Sequence, residues 1–170
     1  MTIQIDRTAI ISECGKYRYL LRRVWNDNLT RALFVMLNPS TADGKIDDPT
    51  IRACTRWCTT NGFGSFEVVN LFAIRSTQPE GIYQVRDPIG PQNEAMVDRA
   101  VKRADVVICA WGAHLVARDH APSMVARIRK EKAKVYCLGL TKIGAPLHPL
   151  YVANNQPLIE YNPRRDFRHD

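Results

Sequence analysis

Four short, almost wholly apolar runs alternate with helix-patterned segments, and that rhythm narrows the fold more than any other feature of the chain. The runs are Ala32-Leu33-Phe34-Val35-Met36-Leu37, Phe66-Glu67-Val68-Val69-Asn70-Leu71-Phe72, Asp105-Val106-Val107-Ile108-Cys109-Ala110 and Lys134-Val135-Tyr136-Cys137-Leu138. Strands covered on both faces read this way, because neither face has to present polar groups to water. Between the first two runs, Asp48-Pro49 predicts a helix start, with Asp48 as N-cap and Pro49 at the first helical position. That helix carries Ile51, Cys54, Trp57 and Cys58 at helical spacing and stops at Gly62. Two further amphipathic helices are expected over residues 92–103 and 122–132. Strand–helix alternation of this kind predicts an α/β fold: a central, mainly parallel four-stranded sheet with helices on both faces.

Ahead of the first run, residues 8–12 and 17–25 flank Cys14-Gly15-Lys16 and predict a β-hairpin, whose alternating Tyr17, Tyr19 and Leu21 give it one buried face. The expected organisation is a hairpin edge over residues 1–30, packed on an α/β domain over 31–160, and a basic tail over 161–170 with Arg164, Arg165 and Arg168. Residues 75–91, rich in Pro, Gly and Gln, predict a long loop, a feature that in a compact domain is commonly functional.

At 170 residues and 45% apolar content, one domain with a genuine core is the expectation. No apolar run is long enough to cross a membrane, and the opening MTIQIDRTAI lacks the pattern of a secretory signal. A cytoplasmic protein without a membrane partner is therefore expected. The five cysteines form no Cys-x-x-Cys pair, and Cys109 and Cys137 sit inside apolar runs, so reduced buried thiols are expected rather than a metal or iron–sulfur centre. No cofactor is implied. A formal charge of +7 permits a polyanionic partner without identifying one.

In open α/β sheets, ligands bind outside the carboxyl ends of the strands. The residues to inspect are thus Asn38 and Ser40 after the first run, Asn70, Phe72 and Arg75 at the second, Trp111 and His114 after the third, and Lys142 and His148 after the fourth. Read in order, Met36-Leu37-Asn38-Pro39-Ser40, Val68-Val69-Asn70-Leu71-Phe72, Ala110-Trp111-Gly112-Ala113-His114 and Leu147-His148-Pro149-Leu150-Tyr151 resemble the four landmarks of the uracil-DNA glycosylase superfamily. The combination MLNPSTAD, DDPT, VVNLFA, AWGAH, CLGLTK and HPLY is also similar to a bacterial and phage family carrying only a domain-of-unknown-function label. The glycosylase resemblance covers roughly residues 31–151 and implies a glycosylase-like fold and N-glycosidic hydrolysis of a nucleobase, in a nucleoside, nucleotide or nucleic acid. Two departures stand out: the first loop lacks a Gly two residues before Asn38, and Leu150 occupies the place of a phosphate-closing Ser.

The resemblance implies roles residue by residue. Asn38 positions water, with Asp47 as the alternative carboxylate because Asp48 is engaged as a cap. His148 stabilises the departing base, and Asn70 presents a donor and an acceptor in one plane to the base edge. Phe72 and Trp111 could stack on a base, with His114 in the pocket wall; core packing is the plainer alternative for the aromatics. Ser40, Arg75 and Lys142 are the candidates for phosphate contacts. No GxxxxGKS loop occurs, which argues against a nucleoside triphosphatase. The competing reading is a catalytically silent module that binds a modified base, nucleotide or nucleic acid, favoured by the lack of a carboxylate at position 38. A third is a small-molecule enzyme reusing the same pocket.

Overall fold

The computed structural model describes residues 2–163, so Arg164, Arg165 and Arg168 of the expected basic tail lie outside the described residues. The elements run β1 (Asp6–Ile11), β2 (Arg18–Val24), β3 (Arg31–Met36), α1 (Pro49–Thr60), β4 (Ser65–Asn70), a 3-10 turn (Pro79–Gln84), α2 (Asn93–Arg103), β5 (Val106–Cys109), α3 (Leu115–Arg129), β6 (Tyr136–Cys137), a second 3-10 turn (Pro149–Tyr151) and β7 (Ile159–Glu160). The β1–β2 hairpin turns at Gly15, whose φ of 75° is open to glycine without strain. α1 starts as its sequence dictates: the Asp48 side chain accepts the Ile51 N–H at 2.9 Å, and Pro49 occupies the first turn, where no N–H is needed.

All seven strands form one sheet in the order β1-β2-β4-β3-β5-β6-β7. The sheet is mixed, not the mainly parallel four-stranded sheet expected from the apolar runs. Strands β4, β3, β5 and β6 are parallel to one another, while β1, β2 and β7 enter antiparallel. The reason is visible in the register. β2 joins β4 through pairs from Leu21↔Val68 to Val24↔Ser65, so the hairpin extends the sheet as two full strands. At the far edge β7 adds a two-residue ladder, Tyr136↔Glu160 and Cys137↔Ile159, too short to leave a periodic signal.

Side chains alternate across β3 and feed two cores. Leu33 and Val35 pack with Val107, Cys109 and the buried faces of α2 and α3, whereas Ala32, Phe34 and Met36 pack with Ile108 and with Ile51, Cys54, Trp57 and Cys58 of α1. Helices thus cover both faces, α1 on one and α2 with α3 on the other. Phe34 meets Trp57 and Phe66 edge-on, at 6.1 and 5.8 Å between ring centroids, contacts that contribute about 0.5–1.5 kcal/mol each beyond area burial. α3 begins seven residues earlier than its Pro122 implies, at Leu115, and carries that proline inside. The early start is capped by His114, whose side chain accepts the Val116 N–H. No helix among the described residues is long and apolar enough to cross a membrane.

Candidate functional site

Asn70 is the last residue of β4 and pairs with Met36, the last of β3. Beyond these, Leu71 N–H donates to Met36 O and Phe72 N–H to Leu37 O, at 2.9 and 3.0 Å, so the chain leaving β4 runs beside the loop leaving β3. Two residues after Val68, which belongs to the α1-side core, the Asn70 side chain points to that same face. The residue is 2% exposed, and its Nδ2 is buried with no hydrogen-bond acceptor. The Asn70 carbonyl accepts Nδ2–H of Asn93 at 2.9 Å, which fixes this strand end against the start of α2.

Asn38 stands at the neighbouring strand end. Its Nδ2 donates to the carbonyls of Pro39 (3.1 Å) and Ser76 (2.9 Å), which uses both amide hydrogens and leaves Oδ1 to accept. Ser40 is half-buried in the same loop. Arg75 is also half-buried; its main-chain N–H donates to Lys16 O, and its guanidinium reaches Gly15 O at 3.4 Å. Lys142 is exposed on the turn closed by Gly144 N–H to Thr141 O.

His148 caps the second 3-10 turn. Its Nδ1 accepts the Leu150 N–H at 3.2 Å, so the neutral ring carries its proton on Nε2. Burial pushes its pKa below the ordinary histidine value, against an opposing pull from the Asp48 carboxylate. A Cβ at Gly112, just beyond β5, would lie 3.8 Å from the His148 Cβ, which puts the two loops in contact. The following segment turns to the α1 side, where Val152 and Leu158 pack on that core and Gln156 O accepts the Trp57 indole N–H at 3.0 Å.

The loop from Ser40 to Asp48 folds back over β2 and is held by two buried arginines. Arg23, fully buried, donates to Asp47 Oδ1 and to the carbonyl of Asp43, and Arg7 approaches the other Asp47 oxygen at 3.6 Å. Asp47 is therefore committed to an ion pair. Both Asp48 oxygens take main-chain N–H groups, from Ala42 and Ile51. Asp43 accepts the N–H groups of Lys45 and Ile46, which lower its pKa. Arg18, 3% exposed, donates through one terminal nitrogen to Ala42 O at 2.9 Å, while its Nε is buried without an acceptor. Burial lowers the Arg18 pKa to about 10 despite the Asp48 carboxylate, and Arg75 adds to the lowering.

The aromatic candidates stand on the opposite face. Phe72 and Trp111 are core residues of the α2–α3 side, Phe72 in an edge contact with His120 at 4.7 Å and Trp111 against Tyr161 at 5.8 Å. His114 binds the Val116 N–H through Nδ1, with its Nε2 3.7 Å from Glu80 of the first 3-10 turn. A pocket opens on this side, lined by Trp111, Gly112, His114, Arg118 and Ile143 among others. It abuts His148 through Gly112, while Asn70 does not line it. Asn38 and Asn70 thus stand at neighbouring strand ends and His148 against the loop after β5 at Gly112, while Phe72, Trp111 and His114 lie on the α3 side.

Burial pushes the thiols of Cys54, Cys58 and Cys109 up, which keeps them protonated. Among the described residues no three His, Cys, Asp or Glu side chains are disposed to hold a metal ion. Sequence reasoning missed Arg18, which as an arginine in an edge hairpin reads as solvated; in the fold it is buried and bonded to Ala42 of the loop over β2. No curated protein and no solved structure matches the chain. Residues 18–150 match the model of the family described as protein of unknown function (DUF1643), and the span includes Arg18, Asn38, Asn70 and His148. The chain belongs to that family.

Proposed function

We propose that the carboxyl end of the sheet binds a nucleobase, as a nucleoside, nucleotide or nucleic-acid residue, and supports hydrolysis of its N-glycosidic bond in the manner of the uracil-DNA glycosylases. The observation that carries this reading is the Asn70 amide, buried at a strand end with a hydrogen-bond donor that nothing among the described residues accepts. A buried unmatched donor costs about 1–3 kcal/mol, a cost that a ligand carbonyl would offset. In the reaction the C1′–N bond breaks with its electron pair leaving on the base, and the oxygen of water bonds to C1′. The water's proton passes to the departing base or to solvent. His148 donates Nε2–H to the base carbonyl on which negative charge develops, a contribution worth about 3–4 kcal/mol when such a donor is pre-organised. Asn38 holds the water through Oδ1.

One observation favours a second reading, binding without turnover. The carboxylates of Asp43, Asp47 and Asp48 are all engaged by main-chain N–H groups or arginines, so none of the three is placed as a ready general base. Incubation with single- and double-stranded DNA containing uracil or other modified bases, and with free nucleosides, separates the two. Base release that is lost in His148→Ala supports hydrolysis; tight binding without release selects the binding module; neither binding nor release rejects the site.

A further inference from the structure

The charged groups around the Ser40–Asp48 loop do not balance. Arg7, Arg18, Arg23, Lys45, Arg52 and Arg75 stand against Asp43, Asp47 and Asp48. Asp47 is shared by Arg7 and Arg23 at 3.6 and 2.7 Å, and both oxygens of Asp48 are turned to main-chain N–H groups. Arg18 is the buried guanidinium left without a carboxylate in contact: among the described residues it donates to the neutral carbonyl of Ala42, and its Nε faces no acceptor. A second cation, Arg75, follows β4 where its main-chain N–H donates to Lys16 O; its guanidinium reaches Gly15 O at 3.4 Å, and its charge acts on both Arg18 and Asp43. Buried cations are retained when paired, and a phosphate or carboxylate matches the guanidinium fork better than any neutral group.

We infer that Arg18, with Arg75, receives an anionic oxygen group of the ligand, a phosphate monoester, so that the site takes nucleotides in preference to nucleosides. This rests on the base reading assigned above to Asn70, which lies on the adjoining strand and shares the α1 face. The division of labour is chemical: the planar amide of Asn70 suits a base edge, and the two guanidiniums suit a charged oxygen. Arg18 Nε and Asn70 Nδ2 are both closed off from solvent, so a ligand reaches them as the loop held by the Arg18–Ala42 hydrogen bond gives way.

The test is calorimetric titration of the full chain with inorganic phosphate, the four common ribonucleosides and their 5′-monophosphates. At least one monophosphate is expected to bind about tenfold to a hundredfold tighter than its nucleoside, the gain of one or two charge-assisted hydrogen bonds. Arg75→Gln, at a half-buried position, is expected to reduce that ratio toward one. Arg18→Lys, which keeps the charge but loses the fork, is expected to reduce it partly. Hydrogen exchange supplies a readout independent of affinity: main-chain amides of residues 40–48 should change protection on adding a monophosphate and not on adding the nucleoside. Nucleosides and monophosphates that bind equally, with phosphate not binding, overturn this inference and leave the base reading intact. Phosphate or monophosphate binding that depends on Arg18 and Arg75, with no discrimination among bases, supports this inference and overturns the base reading. Binding by none of the three ligand classes overturns both.

Discussion

The Nδ1 atom of His148 accepts the main-chain N–H of Leu150, so the ring stands neutral, with its Nε2–H as a free donor direction. Burial holds the folded-state pKa below the ordinary value of 6.5, more than Asp48 raises it. As pH falls, the unfolded chain therefore takes up this proton first. The contribution of His148 to stability is complete above about pH 6.5 and is lost progressively as pH falls from there toward the folded-state pKa. Thermal unfolding between about pH 7.5 and about pH 5 should show a larger fall in Tm for the native sequence than for His148→Gln. An NMR titration of the His148 ring should have its midpoint below 6.5; a midpoint above it refutes the assignment.

Asp47 anchors Arg23, which is fully buried, so Asp47→Ala strands a cation in the interior. The expected loss of stability is about 3–5 kcal/mol, read from urea denaturation. Arg23→Met combined with Asp47→Ala should recover much of that loss, because the unpaired charge is gone. If Asp47 served instead as a general base, Asp47→Asn would abolish base release while shifting the denaturation midpoint little.

The parts of the fold legible in the sequence are those where one signal acts alone. Strands β3, β4 and β5 follow from almost wholly apolar runs, and the start of α1 follows from Asp48-Pro49, whose cap geometry the structure reproduces. The mixed character of the sheet was legible only in part, as an antiparallel hairpin edge. β2 carries Arg18, Arg22 and Arg23 among its apolar residues and reads as an edge, yet it pairs with β4 inside the sheet. Pro122 misplaced α3, because a proline marks a helix start more often than an interior position, and the His114 cap that governs the true start is a residue type seldom used there. In the site, the strand-end position of Asn38, Asn70 and His148 was readable from sequence order. The burial of Arg18 and the commitment of Asp47 were not, since both arise when the 40–48 loop folds over a strand that lies far away in sequence.

Gly64 precedes β4 at a crossing of main chains. Its carbonyl accepts the N–H groups of Trp25 and Asn26, its own N–H donates to Thr30 O, and a methyl group there would collide with the Asn26 carbonyl and the Leu29 side chain. The nearest neighbour, the Asn26 carbonyl, is main chain and cannot turn aside as a flexible side chain would. Gly64→Ala should cost about 3 kcal/mol or more, in the class of overpacked sites, measured as a fall in the chemical-denaturation midpoint with an unchanged slope.

Asn70→Leu separates function from stability. The side chain is buried beside Met36 on the α1 face, and its Nδ2 contributes no hydrogen bond to the fold, while the hydrogen bond from Asn93 is made to the main-chain carbonyl and survives the substitution. Replacing an unmatched buried donor with an apolar group of similar volume is close to neutral or stabilising, within about 1 kcal/mol. Asn70→Leu should therefore leave Tm unchanged or slightly raised and eliminate discrimination among bases. Asn70→Asp exchanges the donor for an acceptor and should change which bases are preferred. A large loss of stability in Asn70→Leu, or base discrimination that persists in it, shows that the amide serves the fold, and the base-reading role falls with it.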